Sequence, residues 1–234
     1  MRRLMVFAVI LILGFTGYTY VFSATVRYRL TLEADVDGER KFGSSVVEVT
    51  YSKNNDPISQ AEFTIDFHGE AVILDLGARG TLFALLKGGA DRRSGPEYIA
   101  LRAFNVPDGA VPSPIMNGLS VISHLSGKVD LPLTSLPLLV RFRDLNNPMS
   151  VERVDPLDLA KSFGAGAKLV RATFEIVPTG IWPLNRIGLT GESSSAEIEK
   201  RLTWLHGLRG GYLDGGFSSI NAPLGLHGGD FKRG

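Results

Sequence analysis

The chain has 234 residues, 44% of them hydrophobic and 21% charged, with a formal charge of +1. That length suits one domain with a real core, or one domain plus a small appendage. The absence of cysteine excludes structural disulfides, zinc–thiolate sites, thiol nucleophiles and a lipoprotein acylation site.

Arg2 and Arg3 are the only charged residues ahead of Arg27, so the remainder carries 23 basic residues against 24 acidic ones. A near-neutral body gives no electrostatic reason to seek nucleic acid, and none is expected as a partner. The basic pairs Arg40-Lys41, Arg92-Arg93, Lys200-Arg201 and Lys232-Arg233 are scattered without aromatic interleaving and read as solvated faces.

Residues 1–24 read as an export segment. Two arginines precede a strongly apolar run, Leu4 to Phe15, and a milder stretch follows to Ala24. The first run has the length of a signal-peptide h-region. The uncharged stretch from Leu4 to Val26 is also long enough to span about 30 Å of hydrocarbon as a helix. Three readings stand: a cleaved signal, with removal after Ser23 (Val21 at −3) favoured over Ala24 (Phe22 at −3), a retained anchor, or, less favoured because the run sits at the terminus behind two arginines, a buried core helix. In the first two the segment 4–24 meets a membrane at least during export. The expected location is the cell envelope, with the domain periplasmic or anchored in the inner membrane and facing out of the cytoplasm.

Residues 25–209 read as a β-rich domain. Val26, Tyr28, Leu30, Leu32 and Ala34 alternate with polar residues, a strand with one wet face. Asp35 to Gly38 predicts a turn. A longer connection through Arg40 to Ser44 then leads to a second strand with Val47, Val49 and Tyr51 on one face. Phe63, Ile65 and Phe67 mark a third. Ala71 to Leu76 and Thr81 to Leu86 are short continuous apolar runs, expected to be strands buried on both sides, joined by a tight turn at Gly77 to Gly80.

The region from Gly88 to Pro137 is rich in glycine and proline. Tyr98 to Phe104 reads as a strand, and Ile115, Leu119, Ile122 and Leu125 have a loose helical spacing. Leu138 to Arg143 is a clearer strand. Asp155-Pro156 predicts a helix start, with the helix running through Leu157 to Phe163 and capped by Gly164. Leu169 to Val177 reads as a strand with Val170, Ala172, Phe174 and Ile176 on one face. Ser194 and Glu197 form a capping box ahead of Ile198, Leu202 and Leu205. Residues 210–234 read as a glycine-rich tail of loop or disorder. The sum is about seven or eight strands and two short helices. It predicts a mainly β fold, an antiparallel sandwich or bent sheet.

The sequence assembles no catalytic, cofactor-binding or metal signature. His68, His124, His206 and His227 lie far apart. Asp35-x-Asp37-Gly38 and Asp144 to Pro148 offer oxygens to a cation but are accounted for by turn chemistry. Asp155 and Asp158 are accounted for by capping. Trp182, Trp204, Tyr212 and Phe217 read as core rather than a ligand face.

Three blocks carry a resemblance: VRYRLTLEADVDGERKFGSSVVEV from Val26, LVRFRDLNNPMSVERVDPLDLAKSFGAGAKLVRATFEI from Leu139, and AEIEKRLTWL from Ala196. They resemble an uncharacterised family of proteobacterial proteins with an N-terminal export segment. The resemblance implies a bacterial origin and brings no activity and no functional residue. Some members begin with a lipoprotein-type signal, from which this cysteine-free chain departs.

The leading expectation is a non-enzymatic envelope domain that binds or supports another envelope protein, with the irregular region 88–137 as its surface. The alternative is an envelope hydrolase whose groups meet only in the fold. Asp66, His68, Asp75, Asp155 and Asp158 are its candidates.

Overall fold

A computed structural model describes residues 22–56, 58–181, 184–187, 189–192, 197–207 and 223–233. Two antiparallel sheets dominate. In chain order the strands are β1 (Ser23–Val36), β2 (Glu39–Lys53), β3 (Phe63–Glu70), β4 (Val72–Asp75), β5 (Thr81–Gly88), β6 (Lys128–Leu131), β7 (Pro137–Phe142), β8 (Val151–Arg153), β9 (Ala167–Val177) and β10 (Lys232–Arg233). The first sheet runs β10-β3-β2-β1-β9-β6 and the second β4-β5-β7-β8. Among the described residues four α-helices accompany them: α1 (Pro96–Ala103), α2 (Ile115–Ser123), α3 (Leu159–Phe163) and α4 (Ile198–Arg201). The expected mainly β, antiparallel fold is the observed one.

The alternation in β1 becomes an inward row from Ala24 to Val36, all buried. Val47, Val49 and Tyr51 join it from β2, and Phe174 from β9 stacks on Tyr28 with centroids 4.5 Å apart. The β1–β2 hairpin is tighter than expected. Asp37 (φ 54°) and Gly38 (φ 87°) form the whole connection, so Val36 pairs with Glu39. An Asp-Gly pair with both residues left-handed is the two-residue turn that suits strand twist. Arg40 to Ser44 therefore belong to β2 rather than to a loop.

The second sheet is covered on both faces, which explains its continuous apolar runs. Val72, Leu74, Leu82, Ala84 and Leu139 enter the main core with α1 and α2. Phe83, Leu85, Leu138, Val140 and Phe142 form a second core with Ile198, Leu202, Leu205, Leu226 and Phe231.

Several expectations are corrected. Tyr98 to Phe104 is helical, not a strand. Gly95 caps α1, Pro96 sits in its first turn, and Ile99, Ala100 and Leu101 are buried; the Gly-Pro start outweighs the mixed pattern. α2, by contrast, carries out the helical spacing of Ile115, Leu119 and Ile122, and residue 118 is glycine in it because a β-carbon there would meet the Pro112 carbonyl oxygen at 2.4 Å. α3 begins after Asp158, whose carboxylate accepts from Lys161 N–H, while Asp155 makes a local turn onto Leu157 N–H. In β9 the register skips Val170, since Glu33 faces Arg171 and Ala34 faces Leu169. This bulge turns Val170 outward and puts Leu169 in the core row.

The segment boundaries also move. Ser23 and Ala24, the last residues of the assigned segment 1–24, are part of β1 and pair with Ser52 and Tyr51. Residues 1–21 of the export segment 1–24 lie outside the described residues, as does Ser194 of the capping box. No helix among the described residues is long and apolar enough to cross a membrane. The tail is not wholly loop: Leu226 and Phe231 are buried and β10 pairs with β3. Residues 210–222 lie outside the described part.

Candidate functional site

A cavity lies between α1 and the edge strand β6. It measures about 560 Å³ and is lined entirely by residues from Arg93 to Ser135. That volume falls within the range of small-ligand sites. Its apolar wall is Ile99 and Ala103 from α1, Val106 behind them, and Val129 and Leu131 from β6. Arg93, Arg102, Asn105 and Asp130 supply polar groups.

Local chemistry explains how this wall is built. Asn105 ends α1 in the left-handed conformation (φ 53°), as asparagine tolerates at a helix terminus. Val106 N–H then returns to Leu101 O at 2.8 Å, which turns the Val106 side chain under the helix. Asp91 caps the preceding turn by accepting from Arg93 N–H at 2.9 Å, and its carboxylate also receives Arg102 Nη1. These contacts, the backbone bond first and Arg102 after it, hold the Asp91 carboxyl below the usual range. Arg93 Nη1 donates to the Asp108 carbonyl. Each guanidinium group is thereby held by one such contact.

α1 itself is fixed to the first sheet by Tyr51, whose buried hydroxyl donates to Glu97 O at 2.7 Å. Burial, followed by the nearby Glu97 charge, pushes this phenol far above its usual value, so it stays a donor. Tyr51→Phe leaves the Glu97 carbonyl without this donor. The expected loss is about 1 kcal/mol, a Tm decrease of roughly 2–4 °C. An unchanged Tm, measured by thermal melting, would mean the bond does not seat α1.

The residues proposed for hydrolysis are not gathered. Asp66 and His68 do meet, with Nε2 and Oδ2 3.3 Å apart, but both side chains are exposed on the outer face of β3. Asp75 pairs with Arg201 at 2.6 Å and accepts from Gly77 N–H. Asp155 and Asp158 serve the turns before α3. None of these five lines the cavity.

The candidate cation loops are also occupied internally. Asp35 accepts from Gly38 N–H, and Asp37 takes a two-pronged contact from Arg79. Asp144 and Asn147 accept from Asn146 and Met149 N–H. Among the described residues no three metal-ligating side chains converge. Trp204 packs in the second core, at 5.5 Å from Phe231 and 5.7 Å from Phe142. Trp182, Tyr212 and Phe217 lie outside the described residues.

No family model, no curated protein and no solved structure matches the chain.

Proposed function

We infer that the chain is an exported or membrane-tethered binding domain of a bacterial cell envelope. Its site is the cavity between α1 and β6. The carrying observation is that cavity: a concave space of about 560 Å³ with apolar walls and two guanidinium groups beside it. Its lining suits an occupant that places an apolar group against Ile99, Val106 and Leu131 and an acceptor oxygen near Arg93 or Arg102. Binding is favoured over catalysis because the cavity lining holds no histidine or other group paired as a base with a nucleophile. Asp91, beside it, is held in its charged form by Arg93 N–H and Arg102. Active sites need groups tuned toward the working pH.

Ala103→Trp places an indole in the cavity from a half-buried helix position. A photo-crosslinking residue at Asn105, in cells making the full chain, is expected to give a discrete adduct that Ala103→Trp abolishes. The same residue at Phe42, exposed and outside the cavity lining, should give none. Equal adducts at both positions, or an adduct indifferent to Ala103→Trp, would overturn the cavity as the site.

A further inference from the structure

The two ends of the first sheet differ in character. At one end is the Asp37-Gly38 turn, with Asp37, Glu39 and Arg40 exposed. The other end is where β1 begins at Ser23, directly after the apolar segment. Register places two loops there: Ser23 faces Ser52, so residues 54–62 leave β2 at this end, and Arg27 faces Val177, so residues 178–192 leave β9 beside it.

Both loops are internally tied. Asn54 N–H donates to Glu62 O at 2.9 Å, and the Asn54 and Asp56 side chains accept from Asp56 and Ile58 N–H. In the second loop Glu192 N–H closes onto Pro178 O at 3.0 Å, and Ile181 N–H onto the Thr190 hydroxyl at 2.9 Å. A segment of this length with joined ends is an Ω-loop, a type that is often functional. It is fastened to β1 by the buried Arg27, which donates to Glu192 O, and by Arg29, which pairs with the Glu192 carboxylate.

Among exposed polar residues such as Asn55, Asp56, Gln60 and Glu62, these tied loops also present four large aliphatic side chains. Ile58 is 90% exposed, Leu189 69%, Ile181 68% and Leu184 41%. Loops held in shape by their own hydrogen bonds, with an arginine turned inward and four aliphatic side chains turned out, suit an apolar neighbour.

We propose that this end of the sheet is seated on a lipid bilayer, with Ile58, Ile181, Leu184 and Leu189 dipping into the headgroup–acyl boundary. The occupant is argued from position. The apolar run from Leu4 leads into Ser23 with no linker, so a retained segment brings these two loops against the bilayer it enters. Residues 54–62 also carry Asp56 and Glu62 and the body is near neutral. The seat is therefore apolar insertion, and screening by salt leaves it intact. The inference rests on the export reading of the first residues and is independent of the cavity.

The chain has no native cysteine, so single labels are clean. Full-length Ile12→Cys, Ile181→Cys, Leu189→Cys and Glu39→Cys would each carry a polarity-sensitive fluorophore. Each would be reconstituted in phosphatidylethanolamine–phosphatidylglycerol vesicles containing spin-labelled lipid. Ile12, Ile181 and Leu189 labels are expected to be quenched roughly twofold or more relative to Glu39, at low and high salt alike. If Ile12 is quenched while Ile181 and Leu189 match Glu39, the seat is overturned and the membrane reading of the first residues stands. If Ile12 also matches Glu39, that reading fails and the seat falls with it. Quenching of Ile181 and Leu189 that disappears in high salt would overturn apolar insertion.

Discussion

Gly43→Ala is expected to cost about 3 kcal/mol, a Tm decrease of roughly 6–12 °C for a domain of this size. Gly43 lies in β2 where it packs against β4 of the second sheet. A β-carbon there would stand 2.1 Å from the Ile73 carbonyl oxygen and 2.8 Å from the Leu74 α-carbon. All of these are backbone atoms of β4, so no side chain can swing away. The substitution must push β4 outward, and β4 holds Leu74 at the centre of the main core with no exposed surface. Protein interiors resist such displacement because their packing leaves little free volume. Gly77→Ala is the matched control. Gly77 is left-handed (φ 66°) with nothing within 4 Å of its β-carbon position, so it carries backbone strain alone, about 1 kcal/mol. If Gly43→Ala melts no lower than Gly77→Ala, the sheets do not approach each other at Gly43.

The same contact shows what was legible in the sequence. β1, β3 and the inward row of β2 could be read because burial on one side writes a period of two into the residues. β4 and β5 could be read as doubly buried because the third layer removes that period. Gly43, in Arg40 to Ser45, interrupts any alternation, so the first third of β2 looked like a loop. Its pairing is dictated by the Asp-Gly turn and by a strand on the other sheet. β6, β8 and β10 span only four, three and two residues, too few for a period to show. In β9 one extra residue at Val170 shifted the phase, and a bulge leaves no local mark. The cavity was legible only as a region. That residues 88–137 are irregular could be read, whereas the meeting of α1 with β6 depends on pairing between β6 and β9 across Leu131 and Ala172. The exposed aliphatics at the Ser23 end carry no sequence signature either, because only strand register puts the loops holding residues 58 and 181 at the same end of the sheet.

Glu70 is the second long-range tie, and its loss is expected to release a whole layer. It sits near the end of β3, 3% exposed. One carboxylate oxygen accepts from Glu197 and Ile198 N–H at 2.6 and 2.9 Å. The other lies 3.5 Å from Lys232 Nζ in β10, and the Glu70 carbonyl accepts from the Ser45 hydroxyl at 2.6 Å. α4 is a single turn, so what Glu70 satisfies is two free N–H groups rather than a helix dipole. Lys232 keeps a second partner in Glu199 at 2.8 Å, and that pair raises the Lys232 pKa and lowers that of Glu199. Glu70→Ala therefore strands two amides more than it strands the ammonium. Removing one member of a buried charged network costs roughly 3–5 kcal/mol. Glu70→Gln retains an acceptor for the amides and should lose about half as much. The loss should be local first, because Ile198, Leu202, Leu205, Leu226 and Phe231 cover the outer face of the second sheet, whereas β1 and β2 are held by the main core. Hydrogen exchange should accelerate in residues 197–207 and 223–233 while β1 and β2 stay protected, and the uncovered Phe83, Val140 and Phe142 should bind a hydrophobic dye. Uniform acceleration across both regions would show that the C-terminal layer unfolds with the sandwich as one unit, and unchanged exchange at residues 197–207 would show that Glu70 does not hold it.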